Sequence, residues 1–390
     1  MIGQLPKEAG GNYTTGAAKV VYELSKQHID DLELFTYSTN TPSKKALVNS
    51  VYENQYIGYI ISPWAIIGGF LLHPIKFFNE WKHYRNVDHM NPLRLAFYKS
   101  NIKKAIKKVN PDIIHIHSIG LVSVARFACE DKKIPIVLTC HGIFYRGETN
   151  DVVGHDKYYG NLPLCDYYTG LTKESRLEYR EILKIDLNKV TIIPNGVDSS
   201  KFYFSPEKRE ATRSYFNTKP NTIVFITVAS LQQRKGQLEF LKYLKNFNEE
   251  WEYWLIGQGE DAEMIEKYAH ENELDERVKL IGYISSDELY NYYSAADIYA
   301  HSSVQEGQAL SEIEAYSTGL PIIVNKKIEG TIVGNTIQDA YFIFDYDTKM
   351  EEFSAWVMNN RKGTRQSKRS YDWEIIMGMY YKLYNQLIKK

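Results

Sequence analysis

The stretch I-V-F-I-T-V-A-S-L-Q-Q-R-K-G-Q-L-E-F-L-K-Y-L, Ile223–Leu244, decides the fold. Ile223–Val228 is an apolar run with β-branched residues and reads as a strand, while Gln237–Leu244 carries apolar residues at helical spacing. Between them the basic turn Gln232–Gly236 ends in glycine. Strand, turn and helix in that order make half of a crossover connection. The pattern then continues: strand Tyr253–Ile256 ending in Gly257-Gln258-Gly259, helix Ala262–Glu271, strand Val278–Ile281, helix Ser286–Ser294 and strand Ile298–Ala300. Pro321–Val324 and Tyr341–Phe344 supply the last strands.

Upstream, a charged link spans Ser205–Pro220, and before it the same alternation is present. Gly10-Gly11 leads into a helix over Thr14–Gln27, and Leu32–Thr36 reads as a short strand. Residues 41–109 read as a long irregular segment, aromatic and basic. Strand Ile113–His117, helix Ser123–Asp131, strands Ile134–Thr139 and Cys165–Leu171, a helix from Lys173 and strand Val190–Ile193 follow. Alternation twice over predicts two α/β domains, each with a parallel sheet and crossover helices, at 1–200 and 201–370, with 371–390 as a terminal helix. Ligands in such sheets collect beyond the carboxyl ends of the strands. No solenoid repeat is visible.

Bulk properties agree. A chain of 390 residues is too long for one ordinary core. Its 47 basic and 48 acidic residues argue against a general polyanion binder, so no nucleic-acid partner is expected. Three cysteines, Cys129, Cys140 and Cys165, favour a reducing compartment, and the first residues lack the basic and apolar regions of a signal peptide. The expectation is a soluble cytoplasmic protein. Residues 54–75 carry no charge, but Pro63, Pro74 and Gly68-Gly69 interrupt the run, which argues against a spanning helix.

Chemistry concentrates in E-G-Q-A-L-S-E-I-E-A-Y-S-T-G-L-P, Glu306–Pro321. Glu306 falls in a loop feeding a helix from Gln308 to Tyr316, and Glu314 lies nearly two turns in. Gly307 permits close approach of a ligand. An ordinary exposed helix start is the plain alternative. Arg234 and Lys235 could clamp a diphosphate, as a fork and a point charge, in front of a helix N-terminus. A solvated basic turn is the alternative there. Gly10-Gly11 is a second phosphate-friendly turn. Without a G-x-G-x-x-G after an N-terminal strand, a nicotinamide enzyme is disfavoured. His115 and His117 share a strand face, yet no carboxylate or cysteine completes a metal set, so no metal is expected. His141 stands at the ligand end of its strand, beside Gly142, suited to a substrate hydroxyl. Cys140 reads as packing rather than as a nucleophile.

Taken together, Gly10-Gly11, His141-Gly142, I-I-P-N-G-V-D at Ile192–Asp198, Arg234-Lys235-Gly236, Gly257-x-Gly259, Glu306-x7-Glu314 and the final S-Y-D-W-E segment resemble a retaining nucleotide-sugar glycosyltransferase of the GT-B fold, glycosyltransferase family 4. The resemblance covers nearly the whole chain. It implies two Rossmann-like domains facing across a cleft, with the last helix crossing back to the first domain. It implies catalytic roles for Glu306, facing the donor sugar, His141, contacting that sugar, and Arg234 and Lys235, neutralising the diphosphate. Glu314 would accept from the ribose hydroxyls, Gly11 would approach the diphosphate, and Tyr283 and Ile284 would hold the base. Gly10, Asn195, Ser230, Gly257, Gly307, Gln308, Ala309 and Leu310 complete the implied donor site. Neither a cofactor nor a metal is implied, since the nucleotide sugar, a UDP-sugar, is substrate.

Three positions depart from the family pattern. Ser230 stands where an arginine is common, Gln308-Ala309 replaces Phe-Gly, and only Met1–Gly3 precede the first loop, which leaves a short opening strand or a start placed late. In the implied reaction, positive groups stabilise the departing phosphate and the acceptor attacks from the same face, with that phosphate as base. The acceptor would be a glycan, a lipid-linked glycan or a protein, in bacterial cell-surface glycan synthesis. Lys76–Lys108 holds nine Lys/Arg against two acids, a formal +7 interleaved with aromatic residues. Residues 54–108 could therefore rest on anionic lipid at the inner face of the plasma membrane or bind a phosphorylated acceptor. Packing of the apolar part inside the first domain, with the lysines on a wet helix face, is the alternative. A nucleotide-sugar epimerase and a catalytically silent partner subunit are the competing functions.

Overall fold

Two units divide the protein: Met1–Pro194 together with Trp373–Lys390, and Asn195–Asp372. A computed structural model describes residues 1–6, 9, 11, 15–42, 56–59, 67, 74–75, 78–79, 81–82, 92–129, 132–141, 145–146, 151–152, 165–181, 184–331, 341–361 and 365–389.

The first unit runs β1 (Ile2–Gly3), α1 (Gly16–Ser25), β2 (Thr36–Pro42), β3 (Tyr56–Tyr59), α2 (Pro92–Val109), β4 (Ile114–Ile116), α3 (Val122–Cys129), β5 (Ile136–Thr139), the antiparallel pair β6 (Tyr145–Arg146) and β7 (Asp151–Val152), β8 (Tyr167–Gly170), α4 (Lys173–Glu181) and β9 (Val190–Ile192). Its main sheet is parallel in the order β3-β2-β1-β4-β5-β8-β9. The order reverses between β1 and β4, so loops after those strands border a crevice at their carboxyl ends. Thr15 caps α1 by accepting from the Ala18 amide at 3.2 Å.

Two expectations for this unit are corrected. Leu32–Thr36 is not a strand: the Leu32 amide closes a turn onto Ile29 O at 3.0 Å, and the extended run begins at Thr36. Residues 41–109 are not irregular throughout, because Pro92–Val109 is a regular helix. Ala96, Ile102, Ala105 and Ile106 bury one face of it while Lys104, Lys107 and Lys108 stay exposed. The uncharged window at 54–75 lies mostly outside the described residues, though Tyr56–Tyr59 pairs as the edge strand β3.

The second unit runs α5 (Pro206–Tyr215), β10 (Ile223–Val228), α6 (Gln237–Leu244), β11 (Trp251–Ile256), α7 (Ala262–Glu271), β12 (Val278–Gly282), α8 (Leu289–Ala295), β13 (Ile298–His301), α9 (Leu310–Ser317), β14 (Ile322–Asn325), β15 (Tyr341–Phe344) and α10 (Met350–Asn360). A final helix, α11 (Trp373–Ile388), is counted with the first unit. The second sheet is parallel in the order β12-β11-β10-β13-β14-β15, reversing between β10 and β13. Side chains alternate between two cores. Ile223, Phe225, Tyr253 and Leu255 meet α6, α7 and α10, while Val224, Ile226, Trp254 and Ile256 meet α8 and α9.

The stretch Ser205–Pro220, expected as a link, contains α5. Ser205 caps it by accepting from the Lys208 amide at 3.2 Å, and Pro206 opens its first turn. Its register is set by two arginines. Arg209 donates to Asp297 Oδ1 at 2.6 Å and Arg213 to Oδ2 at 3.1 Å, and both also donate to carbonyls at the C-terminal end of α8. Asp297 in turn accepts from the Val224 amide at 2.8 Å, so one buried carboxylate ties α5 to the first strand of the sheet. Helix α10, absent from the sequence reading, is anchored by Phe353. Its ring centroid lies 5.6 Å from Phe247, 6.0 Å from Phe342 and 6.1 Å from Phe225.

In α11 the buried residues Trp373, Ile376, Met377, Tyr380, Leu383 and Tyr384 form one face, which packs on the first unit. Tyr384 and Tyr380 bring hydroxyls to that sheet: Tyr384 Oη lies 2.6 Å from His115 Nδ1, and Tyr380 Oη 3.3 Å from Thr139 Oγ1.

Candidate active site

Strands β10 and β13 are neighbours at the order reversal of the second sheet, and their outgoing loops carry Arg234-Lys235 and Glu306. The backbone stitches these loops together. Ser302 Oγ donates to Lys235 O at 2.8 Å, and the Val304 amide donates to Arg234 O at 2.9 Å. Gly236 ends the turn Gln233–Lys235 with φ +67°, and a Cβ there would lie 2.3 Å from Ser302 O. Only glycine fits, because the two loops touch at this point.

Held this way, Lys235 meets Glu306. Its Nζ lies 2.6 Å from Oε1 and 2.8 Å from Oε2, and Arg234 Nη1 lies 3.4 Å from Oε2. The lysine and glutamate side chains are only 11% and 13% exposed, against 43% for Arg234. Their attraction is therefore weakly screened, whereas the arginine is an open surface cation. Burial lowers the Lys235 pKa, and Glu306 works against that shift. Two cations share one carboxylate, so the cluster keeps an excess of positive charge for an arriving anion.

The other expected donor residues divide between lining and support. Glu314 is buried on α9 and accepts from Tyr293 Oη at 3.0 Å. Gln308 takes up the Asn195 loop: its Oε1 accepts from the Asn195 amide at 2.7 Å, and its carbonyl accepts from Asn195 Nδ2 at 3.3 Å. Gly257 has φ +140° and a Cβ position 1.9 Å from Ala229 O, so it packs the β11 loop against the β10 loop. Ser230 O accepts from Gln237 Nε2 at 2.9 Å. Tyr283 follows Gly282 at the carboxyl end of β12 and is 63% exposed, while Ile284 packs against the α8–α9 core. Gly307 is partly buried, and Ala309 and Leu310 form the N-cap and first residue of α9, whose start carries no side-chain cap.

In the first unit His141 is half-buried after β5, and its Nε2 lies 3.0 Å from His117 Nδ1. Burial lowers the His141 pKa to about 4, leaving the ring neutral at pH 7. The Gly11 amide donates to Pro6 O at 2.9 Å, while Gly10 and Gly142 lie outside the described residues. Cys140 packs against the core of this unit. Among the described residues no group of three His, Cys, Asp or Glu could hold a metal ion.

Two features escaped the sequence reading. Glu312, fully buried, accepts from Tyr341 Oη at 3.2 Å and lies 2.9 Å from His301 Nδ1, between the two glutamates of the expected site. An acid in an eight-residue helix gave no sign of facing inward. The His117–His141 contact was the second, since adjacent parallel strands had to be in register before it could be seen.

Comparison with known proteins decides the class. The profile described as glycosyl transferases group 1 matches residues 208–368, and that described as Glycosyltransferase Family 4 matches residues 14–201. The chain belongs to this glycosyltransferase family. It is 28% identical over 236 residues to the UDP-Gal:alpha-D-GlcNAc-diphosphoundecaprenol alpha-1,3-galactosyltransferase of Escherichia coli, covering 58% of this chain and 60% of that one. Against the alpha-monoglucosyldiacylglycerol synthase of Acholeplasma laidlawii the identity is 26% over 262 residues, covering 59% and 63%. The chain thus spans less than two thirds of either relative. The crystal structure of Anabaena HepE in complex with UDP superposes with a TM-score of 0.68 at 15% identity, over 99% of this glycosyltransferase-family chain and 98% of that one. That likeness shows the fold, a GT-B pair of Rossmann-like domains. These relatives give the epimerase reading no support.

Proposed function

We propose that this family member transfers a sugar from a UDP-sugar to a hydroxyl of a glycan, lipid-linked or protein acceptor in bacterial surface-glycan synthesis, with retention and without a metal. The observation that carries the reading is the buried Lys235–Glu306 pair, with Arg234 beside it, at the carboxyl end of β10 and β13. As the anomeric C–O bond breaks, negative charge grows on the departing pyrophosphate. Lys235 and Arg234 stabilise that charge, and they act more strongly because the site around Lys235 is desolvated. Glu306 supports the positive charge on the sugar, and the exposed ring of Tyr283 offers a face to the base. Glu314, held by Tyr293, accepts from the ribose. For the first unit, His141 serves as a hydrogen-bonding group for a sugar hydroxyl. UDP in the HepE crystal and UDP-galactose in the name of the Escherichia coli relative favour a uridine donor.

For the acceptor, the exposed lysines of α2 and the lipid product named for the Acholeplasma relative favour a protein that works against an anionic membrane. Among the described residues no helix is long and apolar enough to cross one. Incubation with a panel of UDP-sugars and membrane-lipid or glycan acceptors tests the main reading, with UDP release and labelled product as readouts. Expected is acceptor-dependent UDP release that Lys235→Ala suppresses. No release from any donor, or release indifferent to Lys235→Ala, refutes it. A changed nucleotide sugar without acceptor would instead establish epimerisation. Charge reversal at Lys103, Lys104, Lys107 and Lys108 should abolish sedimentation with anionic liposomes, and unchanged sedimentation removes the membrane role.

A further inference from the structure

His115, His117 and His141 form a file across β4, its outgoing end and the residues after β5. His115 is fully engaged, with Nδ1 2.6 Å from Tyr384 Oη and Nε2 2.7 Å from Thr139 Oγ1. His117 is not. Its Nδ1 lies 3.0 Å from His141 Nε2, and its Nε2 is sealed from solvent without a partner among the described residues. The planes of the His117 and His141 rings are inclined by only 24°, compatible with an in-plane N–H···N bond between them.

One proton sits between the two rings, and the sealed nitrogen decides whose it is. If His117 carried its proton on Nε2, a buried N–H would be orphaned, which native structures seldom tolerate. A bare Nε2 leaves only an under-used lone pair, the cheaper omission. The His117 proton therefore belongs on Nδ1, which donates to His141 Nε2. A neutral His141 must then carry its own proton on Nδ1, the nitrogen that makes no hydrogen bond to any described residue.

We propose that His117 is a positioning residue that locks His141 in the Nδ1–H tautomer, so that His141 presents a donor, and not a base, to a substrate oxygen. The geometry of the pair rests on the first unit alone. The clause about substrate rests on the reading of His141 under Proposed function. Burial keeps both rings neutral near pH 7, with His117 lowered by desolvation first and then by its histidine neighbours. A donor suits a sugar hydroxyl oxygen and leaves the acceptor's proton to the departing phosphate.

The test uses full-length protein labelled with 15N-histidine, the ring nitrogens read by two-bond 1H–15N correlation and assigned with His141→Gln. Asparagine at 117 places an amide near the Nδ1 position and can still donate. Aspartate can only accept. Expected are a protonated Nδ1 and bare Nε2 on His141 in the native protein, the same in His117→Asn, and the opposite in His117→Asp. A protonated Nε2 in the native protein, or an unchanged pattern in His117→Asp, overturns the assignment. Kinetically, His117→Asp should lower kcat roughly tenfold with little change in the donor KM, the size of one hydrogen bond strengthened in the transition state, and His117→Asn should recover most of it. If the tautomers behave as described while His141→Gln leaves sugar transfer untouched, the substrate role of His141 falls and the hold by His117 stands.

Discussion

Removing one partner of the buried His301–Glu312 pair should cost more than removing both. Glu312 is fully buried and His301 nearly so, and the carboxylate lies 2.9 Å from His301 Nδ1 and 3.2 Å from Tyr341 Oη. His301→Leu takes a close partner from a carboxylate in a desolvated place, a loss of about 3–5 kcal/mol. Glu312→Leu takes the carboxylate away from both His301 and Tyr341 at roughly 1–3 kcal/mol for each lost hydrogen bond, offset by about 1.5–3 kcal/mol from burying leucine. The double leucine variant removes the buried carboxylate together with its histidine partner and should lie within about 2 kcal/mol of the native protein. In a unit of this size 1 kcal/mol moves Tm by about 2–4 °C, so His301→Leu should lower the melting of the second unit by roughly 10 °C. Fluorescence of Trp251 and Trp254, buried in that unit, reports the transition during heating or urea titration. A Glu312→Leu loss larger than that of His301→Leu, or strictly additive losses in the double variant, would refute the reasoning.

Four further outcomes follow from the same geometry. Lys235→Ala should reduce kcat about 10²–10³-fold and Arg234→Ala by about tenfold, because the lysine is desolvated and the arginine is open to water; steady-state kinetics check the ratio. Glu306→Gln should bind UDP more tightly by calorimetry, since the nucleotide no longer displaces a carboxylate from Lys235, while turnover falls. Gly257→Ala puts a methyl 1.9 Å from Ala229 O, and should both destabilise the second unit and weaken UDP binding as the β10 loop is pushed aside. The pKa values of His115, His117 and His141 are all lowered by burial, so the unfolded chain binds more protons in acid. Their contribution is complete above pH 6.5 and is lost as pH falls toward about 4; a pH series of urea midpoints for the first unit should decline through that window, more shallowly in His141→Gln.

Alternation was the readable part of the sequence. Ile223–Val228, Gln237–Leu244, Ala262–Glu271 and Tyr341–Phe344 have the bounds their apolar patterns suggested, and Ile223–Val228, a strand buried on both faces, has nothing charged to blur it. Helix α5 was hidden for the opposite reason: its inward residues, Arg209 and Arg213, are charged and are accepted by Asp297, just before β13. The same holds for Glu312. Pattern reading assigns charge to the outside, and a paired buried charge defeats it. The clustering of Arg234, Lys235 and Glu306 could be anticipated from the family resemblance and from their places at carboxyl ends of strands, whereas the adjacency of β10 and β13 could not. The second layer could not. Gln308 reaching to Asn195, Tyr293 to Glu314 and His117 to His141 each join segments whose register no local pattern records.

Lys235 does not wait empty. Its ammonium already holds a carboxylate, so admitting a pyrophosphate is an exchange of one anion for another and not the filling of a vacancy. Such a site resists small inorganic anions, which gain too little to evict a tethered competitor. It also has its own means of clearing product: once the sugar has gone, Glu306 can return to Lys235 and ease the spent nucleotide out.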